Sequence, residues 1–166
     1  VKSLRMDTEG TRPSIFSGFN DRQLKQLRPL FTLFFHPEGS HIFEQGELAD
    51  CFYILVEGDV AIRYKPEDGP ELTVTHVRPE GVIGWSAAIG SPCYTSSAVC
   101  MCDSSMLRVR RESLKQLVQA DHAIGVELLS RLAALIEARL QTNHPQLMAL
   151  LEYGLSLELA QPAVAV

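Results

Sequence analysis

Between Glu80 and Leu107 the chain carries no lysine or arginine, yet it places Trp85, Ser86, Tyr94, Thr95 and Ser96 in that stretch. Aromatic rings beside neutral hydroxyls can stack on and hydrogen-bond to an uncharged ligand, but they offer a phosphate no cation. The same stretch holds three of the four cysteines, Cys93, Cys100 and Cys102; Cys51 lies further back. On an extended strand Cys100 and Cys102 share a face at i,i+2, an arrangement open to redox or metal chemistry. Their spacing lacks the paired Cys-x-x-Cys units of zinc and iron–sulfur sites, and free cysteine is commonly a small core residue. No metal site is expected. The histidines, His36, His41, His76, His122 and His144, form no pattern, and no Ser/His/Asp or Cys/His arrangement marks a nucleophilic enzyme. The residue types argue for binding rather than catalysis.

Short β-rich runs must position these side chains. They are Phe31–His36, His41–Phe43, Cys51–Glu57, Val60–Tyr64, Leu72–Val77, Thr95–Met101 and Met106–Val109, separated by turns such as Pro37-Glu38-Gly39, Glu57-Gly58-Asp59 and Pro79-Glu80-Gly81. Strands so closely spaced, with no helical crossovers between them, predict an antiparallel sandwich or barrel. Before it, Val1–Thr11 reads as a loose arm and Pro13–Phe19 as a short helix. Asn20 caps a helix from Asp21 to about Arg28, which Pro29 ends.

After Arg111 the period becomes helical. Glu112–Gln119 forms one helix, and Asp121 caps a longer one reaching about Thr142. There Leu129, Leu132, Ile136 and Leu140 make one stripe, and Ile124, Leu128 and Leu135 a second. Two stripes fit a helix that packs inward on one side and pairs with a second copy on the other, with Ile124, Leu128, Leu132, Leu135 and Ile136 at the dimer contact. A helix wholly buried against the C-terminal segment is the alternative. Pro145–Leu159 reads as a short amphipathic helix before a Pro-Ala-Val tail. The division is an arm over 1–19, a folded domain over 20–141 and a helix with tail over 142–166.

Composition narrows the partners. Of 166 residues, 46% are apolar and 21% charged, and the net charge of −5 leaves no basic patch of the kind that binds duplex DNA. No apolar run approaches the ~20 residues of a membrane span, no signal peptide is recognisable, and the thiols read as reduced. A cytoplasmic protein is expected. The first residue, Val1, is not methionine, which points to a trimmed or unusual start.

The stretch from Ile42-Phe43-Glu44-Gln45-Gly46-Glu47-Leu48-Ala49-Asp50 through Cys51-Phe52-Tyr53-Ile54-Leu55-Val56-Glu57-Gly58 resembles the first signature of the cyclic-nucleotide-binding domains of Crp/Fnr regulators. It has a Gly-acid turn, a small residue, an apolar strand and a glycine at the next turn; Phe43 stands where that family prefers a smaller branched residue. The resemblance runs from about Asn20 to Leu140. It implies an α+β fold: an antiparallel β-roll (a double-stranded β-helix, or jelly roll) with N-terminal helices and a long C-terminal helix.

The second signature departs. Its Gly-Glu-small segment is matched by Ile83-Gly84-Trp85-Ser86-Ala87-Ala88, and the position of its phosphate-binding arginine falls on Tyr94. Trp85 thus replaces the ribose-binding glutamate, and Tyr94 the arginine, whose fork supplies charge and bidentate donors. A cation for an anionic ligand would have to come from Arg63, Arg78 or Arg108. Ile83, Gly84, Trp85, Ser86, Ala87, Tyr94, Thr95 and Ser96 are the expected pocket, either open to a different ligand or filled by its own aromatics. No cofactor is expected. Some relatives use haem, which leaves His76 and His122 as candidates by chemistry alone, and the His-x-His spacing of the related metal-binding cupins is absent. The expected role is a regulatory sensor that dimerises through the long helix and answers to an unidentified small molecule or partner protein. The alternatives are an assembly module with a filled pocket, or a haem or redox sensor. The two dozen residues after Thr142 hold no recognition helix, so direct DNA reading is not expected.

Overall fold

Asn20 starts the first helix. Its side chain accepts the Gln23 backbone N–H at 3.0 Å, and the Gln23 carboxamide oxygen accepts the Asn20 N–H at 3.0 Å. This capping box opens α1 (Asp21–Leu27). The computed structural model of the chain describes residues 13–138. The Val1–Thr11 arm, the Pro145–Leu159 helix and the far end of the long helix lie outside the described residues.

Eight strands follow: β1 (Phe31–His36), β2 (His41–Phe43), β3 (Cys51–Glu57), β4 (Val60–Tyr64), β5 (Leu72–Val77), β6 (Val82–Ile83), β7 (Ser97–Cys100) and β8 (Ser104–Arg110). All pairings are antiparallel. They make two four-stranded sheets, ordered β1-β8-β3-β6 and β2-β7-β4-β5. The chain crosses from the first sheet to the second at Gly58, whose φ of +111° suits only glycine and where a Cβ would collide with Ser104.

The apolar run of β3 is buried on both faces, and alternation sorts its side chains. Phe52 and Ile54 join Leu107 and Val109 of β8 in a core shared with the helices. Cys51, Tyr53 and Leu55 join Met106 in a second core between the sheets. Ile15, Phe16 and Phe19 are buried in the helix-side core.

Two strand expectations change in detail, and β6 adds a strand that no expected run covered. β6 is only two residues long, too short to show a period. Thr95 and Ser96 leave the ladder although their run reads as strand, and β7 begins at Ser97. β8 begins at Ser104 because Ser104 and Ser105 pair with His36 and Phe35 across the sheet, which favours extended backbone despite their polar side chains. Strand structure also stops at Cys100, so Cys102 does not share a strand face with it; Cys100 is buried and Cys102 exposed.

α2 (Arg111–Ala120) and α3 (residues 122–138) close the helix-side core. The Asp121 carboxylate caps α3 by accepting the Ile124 N–H at 3.2 Å. Arg131 ion-pairs with Glu127 at 2.7 Å and lies 4.3 Å above the Phe19 ring, tying α3 to the N-terminal segment. The two apolar stripes divide differently from the expectation. Ile124, Leu128 and Leu132, spaced by four, are buried in the chain's own core, with Leu135 and Ile136 partly buried against it. The first three of the residues expected at a dimer contact thus face the chain's own core. Their side chains are already packed, and the outward apolar side chains are Val126 and Leu129.

Candidate ligand-binding site

A cavity of about 150 Å³ lies between the second sheet and the two segments that flank residues 87–93. Phe43 of β2, Ile62 of β4, and Val74 and Thr75 of β5 form the sheet side; Gly84, Trp85 and Ser86, with Tyr94, Thr95 and Ser96, close it. Six of the eight expected pocket residues thus line one cavity. Ile83 and Ala87 do not, because both are fully buried between the sheets. The pattern of the chain did not single out Ile62, Val74 and Thr75, which reach the cavity through strand register. Phe43 departs from the family's preference in the sequence, and the structure adds its contact with the site.

That contact is direct. The Phe43 and Tyr94 rings stack with centroids 3.7 Å apart and planes 13° from parallel. Tyr94 is only 4% exposed, and its hydroxyl donates to the Cys51 carbonyl. Its backbone is clamped by the Gly46-Glu47 turn: the Gly46 N–H donates to the Tyr94 carbonyl at 2.8 Å, and the Tyr94 N–H to the Glu47 carbonyl at 2.9 Å. Gly84, with φ +69°, fits under this pair; a Cβ there would stand 2.9 Å from Phe43 and 3.0 Å from Tyr94. Trp85 lines the cavity and also packs against the helix-side core.

The titratable groups packed around Tyr94 are held in their neutral forms. Burial pushes the Tyr94 phenol far above its ordinary range, the Tyr53 phenol up to about 12 and the Cys51 thiol up to about 11. No lysine or arginine lines the cavity. Arg63 pairs with Glu71 at 3.3 Å, Arg108 lies 4.1 Å over the Phe34 ring, and Arg78 is exposed. A larger groove of about 370 Å³ runs beside Phe35, His36, Glu57 and Asp103, but it is open and contains none of the segment from Gly84 to Ser96. The smaller cavity is therefore the candidate.

The remaining sequence candidates stay apart. His76 is held by Asp59 at 2.8 Å, and His122 is exposed. Cys93 and Cys102 are exposed while Cys51 and Cys100 are buried, and no group of three or more metal-ligating side chains occurs among the described residues. No helix among them is long and apolar enough to cross a membrane.

Comparison with known proteins agrees with this geometry. Residues 34–121, more than half of the chain, match the family model of the cyclic nucleotide-binding domain. The potassium channel KOR2 of Oryza sativa is 33% identical over 125 residues, which are 74% of this chain and 17% of that protein. The CRP-like cAMP-activated global transcriptional regulator of Mycobacterium tuberculosis is 29% identical over 132 residues, 77% of this chain and 57% of the regulator. The chain thus spans little over half of one relative and under a fifth of the other. Among solved structures, a putative cyclic nucleotide-binding protein from Geobacter metallireducens superimposes with a TM-score of 0.65 at 30% identity, covering 76% of this chain and 91% of that one. A cyclic nucleotide-binding domain from Methylobacillus flagellatus gives 0.73 at 19% identity over 81% and 75% of the two chains, a likeness of fold. With its β-roll, its two-faced β3 strand and its cavity at the segment from Gly84 to Ser96, this chain belongs to the cyclic nucleotide-binding domain family.

Proposed function

We propose that the chain is a cytoplasmic regulatory sensor domain whose ligand site has lost the means to hold a cyclic phosphate. One observation carries this reading: Tyr94, at the position that resembles the family's phosphate-binding arginine, is buried against Phe43 in a cavity lined by no cation. A partly desolvated phosphate without a cation costs several kcal/mol, roughly 3–5 when one partner of a buried pair is missing. A cavity of about 150 Å³ is also small beside the roughly 300 Å³ at which drug-sized pockets begin. Signal transfer runs through Trp85, which touches both the cavity and the core that holds Ile124, Leu128 and Leu132 of α3. A ligand that prefers one position of that indole shifts the population of α3 arrangements.

The mycobacterial relative is named for activation by cAMP, so cAMP is the competing ligand. Isothermal titration with cAMP and cGMP is expected to give no binding tighter than about 1 mM. A micromolar Kd for either would overturn the reading.

The exposed Val126 and Leu129 on α3 support a second element, assembly into a homodimer through the outward face of the helix. In sedimentation, wild-type protein is expected as a dimer and Leu129→Asp as a folded monomer. A monomeric wild type would remove this element. A dimer that binds no small molecule at all would leave only the assembly role.

A further inference from the structure

We infer that the cavity takes a neutral, single-ring aromatic molecule with one hydrogen-bonding substituent, the size of a phenol or a benzamide. The inference rests on the reading that the site no longer holds a cyclic phosphate, and it names what takes its place. Volume sets the first limit. About 150 Å³ remains beside the Phe43–Tyr94 stack, and an engineered cavity of about that volume in another protein admits benzene. A nucleoside with its sugar exceeds that volume.

Chemistry sets the second limit. Phe43, Ile62 and Val74 give the cavity an apolar wall suited to a ring. Opposite them, the hydroxyls of Ser86, Thr95 and Ser96 make no hydrogen bond to another protein group among the described residues. A hydrocarbon would strip water from the half-buried Ser86 and Ser96 hydroxyls without replacing its bonds. A carboxylate would meet donors but no cation. The Tyr94 hydroxyl is committed to the Cys51 carbonyl and is not free to bond a ligand. What satisfies both sides is a ring carrying one polar, uncharged group.

The test uses the full chain, with thermal shift and titration of phenol, benzamide, benzoate and cAMP. Phenol or benzamide is expected to bind with a Kd of about 0.1–1 mM, and benzoate at least about tenfold more weakly. Ser96→Leu, which fills the cavity from its half-buried loop, is expected to abolish binding. Should that variant not fold, Ser86→Ala removes one hydroxyl without added bulk and is expected to weaken binding about fivefold to tenfold. The inference is overturned if neither neutral aromatic binds, if benzoate binds as tightly, or if the folded variants bind like the wild type. Micromolar binding of cAMP would instead overturn the reading on which it rests.

Discussion

Two segments of the same roll have had different fates. The one from Gly46 to Gly58 keeps the pattern of its family, whereas the one from Gly84 to Ser96 keeps only Gly84 and small neighbours of it. The first is held by the fold itself. The Gly46 N–H donates to the Tyr94 carbonyl, Gly58 turns the chain between sheets, and every side chain from Cys51 to Leu55 is packed in one of the two cores. The second lines the cavity, and its Tyr94 is clamped by the Gly46-Glu47 turn. If the site takes no phosphate, as proposed above, nothing in the sheets requires an arginine there, and an aromatic that fills space becomes favourable. The contrast teaches that in this architecture the strands carry the fold and the cavity wall carries the specificity.

Truncating the first segment breaks that contrast most severely. Phe52 is 1% exposed in the helix-side core, and Phe52→Ala is expected to cost about 3–5 kcal/mol by urea denaturation. A loss under about 1 kcal/mol would mean that β3 is no more essential than the cavity wall.

A smaller effect comes from Cys51, at the start of the same strand. Burial is the main cause of its raised thiol value of about 11, Asp50 adds to it, and Arg108 and Arg110 oppose it. The unfolded thiol titrates near 9.0, so the folded state holds its proton longer. This contribution is complete below about pH 9 and is lost as pH rises through the folded value near 11, up to roughly 2–3 kcal/mol. Urea midpoints measured from pH 7 to pH 11 should fall in that window, and Cys51→Ala should flatten the fall. An unchanged slope in the variant would place the titration elsewhere, with Tyr53 next in line.

The strands were readable because glycine and proline mark their ends and their apolar runs are continuous. The cavity wall was readable only in part. Trp85 and Tyr94 stand out as departures from a pattern, but Ile62, Val74 and Thr75 enter the site through sheet register, which joins residues distant in sequence. Thr95 and Ser96 head a run that reads as strand yet form a loop, next to Tyr94, whose backbone is taken by the Gly46-Glu47 turn. On α3 the two apolar stripes lie about 100° apart per residue step, so the periodicity could not say which one faces inward. Packing on the first sheet decided it, and Leu132 went to the inner stripe while Leu129 stayed outside.

The smallest effect is the most telling about the second segment. Phe43 and Tyr94 both depart from the family's pattern, one in each signature, and they meet face to face. If they are one adaptation, a double-mutant cycle of Phe43→Leu and Tyr94→Leu should give a coupling energy of about 0.5–1.5 kcal/mol. Tyr94→Leu alone should cost more than Phe43→Leu alone, because it also leaves the buried Cys51 carbonyl without the phenol donor. Additive losses would show two independent substitutions that happen to touch. Coupled losses would mean that the cavity was closed by a pair, so that reopening it for a phosphate requires replacing both rings and supplying a cation, and an arginine at Tyr94 alone would not restore the site.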